Sequence, residues 1–197
     1  MDCCGKSHPW DVHDVPNRWK PQRVRCLIVG ENPGDTDSMY FYDESPNHDL
    51  VRVRTNLLSG LTAAGLIIEP SLKAFRAAGF LFDHGIRCHM PFKLIKRIAR
   101  TADRIEPPLP VMPAYLRPLI GEASAIWVMG HIARKAVGVV AKDFPPVRDK
   151  ISQPPYPCRL RGTKYFVSRY LSRISRDRAT MIARELRKAF PEVFVMA

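Results

Sequence analysis

Asn32 is the residue whose setting asks for chemistry. It lies in Gly30-Glu31-Asn32-Pro33-Gly34-Asp35, directly after the apolar run Leu27-Ile28-Val29. A carboxamide cannot act as a general base near neutral pH; it can only orient a partner through its carbonyl and NH2 groups. Gly30 and Gly34 permit backbone angles that other residues resist. Pro33 fixes its own φ and pushes Asn32 toward an extended conformation. The run therefore ends in a stiff, bent loop that holds Glu31 and Asn32 at the carboxyl end of a strand. In open α/β sheets that edge is where ligands bind. The same residues also read as an ordinary strand-to-loop turn, because Asn-Pro-Gly is common turn chemistry.

Other chemistry-bearing residues are scattered. His84 and His89 fall in or just after the segment that begins Phe80-Leu81-Phe82. Each could read the edge of a ligand or serve as a structural hydrogen-bonding residue. Tyr40-Phe41-Tyr42 places three aromatics beside the loop. One ring is expected in the core, which leaves the others, Phe41 among them, to stack on something flat. Cys3, Cys4, His8 and His13 are metal-ligating types, but adjacent cysteines chelate poorly compared with Cys-x-x-Cys, and no metal or other cofactor is expected. Between positions 159 and 188 there are ten basic residues and two acidic ones. A solvated face is the default reading of such a run, and a phosphate-contacting surface is the sharper one.

The elements that must position these groups alternate. Strands are expected at 24–29, from 80 toward 88, at 125–129 and at 164–167. Helices are expected at 47–66, 71–78, 93–105, 114–121, 131–142 and 179–190, with arginine-rich loop between 168 and 178. Proline-rich connectors are expected at 107–113 and 145–158. Alternation of this kind implies parallel strands joined by right-handed crossovers. The expected fold is a three-layer α/β/α domain over residues 23–197, with a short, mainly parallel four-stranded sheet. Residues 1–22 are expected to form an irregular arm. The loops after the first and last strands should meet at one sheet edge.

A chain of 197 residues fits one domain. No stretch approaches the roughly 18 apolar residues of a membrane span, and the first twenty residues lack the apolar core of a secretory signal. Five cysteines at scattered spacings do not form a disulfide framework. The chain reads as cytoplasmic and monomeric, with no membrane partner. The net charge of +12 points to a polyanion, and DNA, single- or double-stranded, is the expected partner.

Three segments resemble the uracil-DNA glycosylase superfamily in order and spacing. Gly30-Glu31-Asn32-Pro33-Gly34 resembles its first motif, Gly-x-Asn-Pro-Gly in some branches and Gly-Glu-Ala-Pro-Gly in the iron–sulfur branch. Trp127-Val128-Met129-Gly130-His131-Ile132-Ala133 resembles a later strand and turn. The stretch from Phe166 to Arg176 falls where the family has its second motif, commonly His-Pro-Ser or Asn-Pro-Ser. If Ser172 matches the motif serine, Tyr170 stands where His or Asn is expected and Leu171 replaces the proline. The resemblance implies a DNA glycosylase that excises uracil or another deaminated or mismatched base in base-excision repair. It implies catalytic roles for Asn32, which would hold the hydrolytic water, and Tyr170. Gly30, Glu31, Pro33, Gly34, Phe41, His84, His89 and Ser172 would contact the base. Arg169, Arg173 and Arg176 would contact phosphates, with Ile174 as the wedge that helps the base leave the stack. The change at Tyr170-Leu171 keeps open a non-catalytic nucleic-acid-binding member of the same fold. A nucleotide or nucleoside hydrolase using the same sheet edge is the third reading.

Overall fold

A computed structural model of the chain describes residues 8–33, 40–44, 52–87, 114–141, 155–160, 162–170 and 175–194. Its centre is β1 (Cys26–Gly30), in which every residue is buried. β1 lies between β2 (Phe80–His84) and β3 (Ala125–Met129), parallel to both. Burial on both faces explains why β1 and β3 read as unbroken apolar runs rather than alternating ones. β3 pairs in parallel with β5 (Thr163–Ser168), and β5 pairs antiparallel with β4 (Tyr156–Leu160). The sheet is thus five-stranded and mixed, in the order β2-β1-β3-β5-β4.

The expectation of four strands is corrected by β4. Its sequence, Tyr-Pro-Cys-Arg-Leu, reads as the end of a proline-rich loop. Pro157 cannot donate to a ladder, but β4 is an edge strand, where one missing donor is tolerated. Gly162, at φ +84°, makes the tight turn that folds β4 back on β5.

The described residues include seven α-helices. α3 (Arg52–Ala63) and α4 (Leu72–Ala77) connect β1 to β2. α5 (Leu116–Glu122) precedes β3, and α6 (His131–Val140) follows it. α7 (Arg176–Ala189) follows β5. The crossovers β1 to β2 and β2 to β3 run in opposite directions across the sheet. Right-handed connections therefore place their helices on opposite faces. In agreement, α3 packs on α7 and α5 on α6. Gly60 lets α3 and α7 meet closely: a Cβ there would lie 3.0 Å from the Ala179 carbonyl. The arrangement is coarsely three-layered, helices over sheet over helices.

Two expectations about local structure change. The segment read as an irregular arm contains α1 (Pro9–Val12) and α2 (Val15–Arg18), each a single turn with proline at its start. Proline suits that position because its missing N–H has no intrahelical partner there. One-turn helices are too short to show periodicity, yet Trp10, Val15 and Trp19 are buried in the core. The last helix begins at Arg176 rather than 179, because the Ser175 hydroxyl accepts the Arg178 N–H at 3.4 Å and caps it. The expected helix at 93–105 and the connector at 107–113 lie outside the described residues. Among those described, no helix is long and apolar enough to cross a membrane.

Candidate functional site

The carboxyl ends of β1, β2, β3 and β5 form one edge. Gly30 is in register with His84, and Met129 with Ser168. The loops leaving this edge therefore start from neighbouring positions. Ser168 ties two strands together: its hydroxyl accepts the Trp127 indole N–H at 2.8 Å and donates to the Arg169 carbonyl at 3.0 Å.

The loop after β1 is held by contacts from distant parts of the chain. The Gly30 and Glu31 carbonyls accept the Gly85 and Ile86 N–H groups at 2.8 and 3.1 Å. The Glu31 carboxylate is buried and accepts the His131 N–H at 3.1 Å. It thereby caps the amino end of α6, where a negative charge meets the helix dipole favourably. Gly130 makes that approach possible. It adopts φ +88°, ψ 177°, and a Cβ on it would lie 2.5 Å from Glu31 Oε1. Gly130→Ala is expected to cost about 1–3 kcal/mol, since that backbone region is almost confined to glycine. A urea unfolding midpoint equal to that of the parent would show that neither the angle nor the Glu31 contact matters.

Gly30 is glycine for a different reason than its sequence context suggests. It belongs to β1, and its backbone is not in the left-handed region. A Cβ on it would lie 2.6 Å from Phe82 Cζ and 3.4 Å from Tyr170 Cε2. Space, not torsion, excludes a side chain. The Tyr170 ring, half-buried against the core, thus rests beside the start of the Gly30 loop. This brings the segment after the last strand next to the loop after the first.

Asn32 is buried, at 8 % exposure. Its Nδ2 is enclosed and has no hydrogen-bond partner among the described residues. A buried amide donor left unmade costs about 1–3 kcal/mol, so an acceptor such as a water or a ligand carbonyl is required to satisfy it.

The aromatic segment departs from expectation. Tyr40, Phe41 and Tyr42 are all 1 % exposed. Phe41 stacks on Phe82 with centroids 4.3 Å apart and planes 13° apart, and also meets Phe75 and Tyr42. It therefore presents no open face. Tyr40 stacks on His13, and Trp19 on Tyr42. The Tyr42 hydroxyl donates to the Phe82 carbonyl at 3.1 Å and accepts the Phe82 N–H at 2.7 Å. Because β2 is an edge strand, this one hydroxyl satisfies backbone groups that a neighbouring strand would otherwise pair. The three rings follow one another in sequence but are all internal: residues from 8–22 stack on Tyr40 and Tyr42, and Phe41 is enclosed by Phe75, Phe82 and Tyr42. His84 is likewise buried, packed between Tyr40 and Phe82.

Two groups at this end were not anticipated. Arg54 is 4 % exposed and donates to the carbonyls of Phe41, at 3.1 Å, and Asp43. Burial pulls its guanidinium below the usual arginine range, against the opposing pull of Asp43. A signal existed: Arg54 falls three and four positions before Leu57 and Leu58, on the apolar face of α3. The second group is the ion pair of fully buried Asp83 and half-buried Arg87. Arg87 donates Nε to Oδ1 at 3.1 Å and Nη2 to Oδ2 at 2.7 Å. Its guanidinium carbon lies 4.0 Å from the ring centroids of both Trp10 and Tyr115.

Of the remaining expected site residues, Pro33 follows Asn32 and is buried, Arg169 is half-buried and Arg176 is exposed on the first turn of α7. Gly34, His89, Ser172, Arg173 and Ile174 lie outside the described residues, as do Cys3 and Cys4. No group of three or more His, Cys, Asp or Glu among the described residues could hold a metal ion. A cavity of about 750 Å³ lies not here but at the opposite edge of the sheet, around Arg23, Arg25 and Gly79. No protein-family model matches the chain, and no curated protein matches it either.

Proposed function

We propose that the protein is a DNA glycosylase of the uracil-DNA glycosylase type, hydrolysing the N-glycosidic bond of uracil or another deaminated or mismatched base. The observation that carries this reading is the enclosed Asn32 amide, which has no partner among the described residues, at the carboxyl edge of the sheet. Its sequence setting, Gly30-Glu31-Asn32-Pro33, supports the same reading, as does the Tyr170 ring beside Gly30.

In this reading Asn32 orients a water toward C1′ of the deoxyribose. The water oxygen bonds to C1′ as the C1′–N bond breaks, and that bond's electron pair leaves on the base. The water gives up a proton to solvent, and the base anion takes one from solvent. An amide cannot take the proton itself, so most of the rate must come from stabilising the leaving charge. The Tyr170 hydroxyl is the donor proposed for that charge. Phosphate contacts from the basic 159–188 stretch offset the few kcal/mol needed to extrude the base. Phe41 and His84 act in this scheme as the wall behind the loop rather than as stacking or edge-reading groups.

The test is incubation with single- and double-stranded oligonucleotides carrying uracil, hypoxanthine or a mismatch, followed by alkaline cleavage of abasic sites. Asn32→Ala is expected to lower single-turnover cleavage while leaving DNA affinity nearly unchanged, because orienting a water acts on the transition state. Unaltered cleavage by this variant would remove Asn32 from the mechanism. Tyr170-Leu171, where the family carries His-Pro or Asn-Pro, favours one rival: a member that binds DNA without cutting it. Salt-sensitive binding with no cleavage of any substrate is the result that rival requires.

A further inference from the structure

The amino ends of the strands carry a second constellation. A groove of about 750 Å³ opens there, within the range of roughly 300–1,000 Å³ typical of ligand clefts. Its lining includes five basic side chains, Arg18, Arg23, Arg25, Lys73 and Arg76, and one acidic one, Glu44. Glu44 is already paired with Arg18.

The chain builds this charge deliberately from two elements. Lys73 and Arg76 are three apart on α4, so they share a helix face. Arg23 and Arg25 flank the buried Val24 on the segment entering β1, and both line the groove. Gly79 lies between the two elements and lines the groove. A Cβ there would lie 2.7 Å from Arg25 Cγ and 3.1 Å from the Arg23 carbonyl, so only glycine lets the arginine segment lie against the end of α4. Arg25 N–H donates to the Gly79 carbonyl at 2.8 Å, fixing that approach. Arg23, Lys73 and Arg76 are exposed, and no acidic side chain pairs with them among the described residues. Trp19 forms part of the wall, and among the described residues its enclosed indole Nε1–H has no acceptor. Three unpaired, exposed cations around one cleft call for a ligand with several anionic oxygens.

We propose that this groove binds consecutive phosphates of a nucleic-acid strand, as a site separate from the Gly30 edge. The phosphates come from a polymer rather than a single small anion because the cations come from two elements lining a groove much larger than one phosphate. β1 alone, at about 3.3 Å per residue, separates the two edges by roughly 16 Å. The groove thus holds a stretch of strand, or a second strand, away from the edge proposed for chemistry. The inference does not depend on that chemistry.

The test is fluorescence anisotropy with labelled (dT)20, which contains no uracil and is not cleaved. The parent is compared with Arg23→Ala/Lys73→Ala/Arg76→Ala between 50 and 200 mM salt. Each phosphate contact on a single strand adds about −0.7 to the slope of log affinity against log salt. The triple variant is therefore expected to have a slope shallower by about 2, with affinity at 50 mM salt down by about tenfold or more, and an unchanged melting temperature. Arg23→Lys/Lys73→Arg/Arg76→Lys keeps the charge and is expected to keep the slope. A triple variant that binds (dT)20 like the parent overturns the proposal. So does displacement of (dT)20 from the groove by equimolar ATP or inorganic triphosphate, which would assign the site to a free polyphosphate.

Discussion

Replacing Arg87 by alanine will cost about 3–5 kcal/mol of folding stability, the range for removing one partner of a buried ion pair. Asp83 is fully buried in β2, in the row that runs through Val29 and Val128. Without Arg87 its carboxylate would keep the His84 N–H, at 2.7 Å, as its one remaining hydrogen bond among those described. The loss reaches further than the pair, because the guanidinium is clamped between Trp10 and Tyr115. It joins the 8–22 segment to the start of α5, and Tyr115 donates to the His84 and Gly85 carbonyls at 2.9 Å. The ordinary carboxyl value for Asp83 is 3.8, and burial pushes it above that, against the pull of Arg87. For Arg87, burial pulls downward, but the Asp83 carboxylate more than offsets it and holds the guanidinium charged.

The pH dependence follows from the sign of the Asp83 shift. A folded pKa raised above the unfolded one means that the native state binds the proton more tightly. Stability from this group is greatest below the unfolded value and is lost as pH rises through the folded value. Removing Arg87 raises the folded value further and widens that window. The gap between Arg87→Ala and the parent, read from urea unfolding, should therefore shrink as pH falls from 7 toward 4. Adding Asp83→Asn should recover part of the loss at pH 7, since it removes the unpaired charge. A single variant within 1 kcal/mol of the parent at pH 7 would show that the pair is not buried as described.

Tyr170→Phe will reduce base excision by about 10²–10³-fold, or about 2.7–4 kcal/mol, the effect of losing one donor to a developing anion. The substitution keeps the ring, and so keeps its packing against Gly30. Folding stability and DNA affinity should then stay level while single-turnover cleavage falls, which separates the hydroxyl from the ring. Cleavage equal to the parent's would return Tyr170 to a packing role and leave the leaving-group charge to backbone N–H groups. If the parent cleaves nothing, activity appearing in Tyr170→His on uracil DNA would identify the protein as a binding member altered at this position.

What was legible in the sequence was local. β1 and β3 announced themselves because burial on both faces demands unbroken apolar runs, and the start of α6 after Gly130 followed from the same segment. The alternation of strands and helices was enough for a three-layer α/β arrangement and for the loops after the first and last strands to share an edge. Asn32 stood out because of the stiff residues around it. Everything that depended on which distant surface a residue meets was decided by tertiary structure. β4 exists because an edge position tolerates Pro157. Tyr40 and Tyr42 are internal because His13 and Trp19, from a segment whose one-turn helices carry no periodicity, stack on them, and Phe41 is internal because it packs on Phe75 and Phe82. Asp83 and Arg87 are four apart, a spacing that signals a pair only on a helix, yet they meet across a strand end. Glu31 finds the amino end of α6 across 100 residues of sequence. Periodicity reports the face a residue takes on its own element. It carries no information about the partner across the gap, and that partner sets whether a charge is presented to a ligand or consumed within the fold.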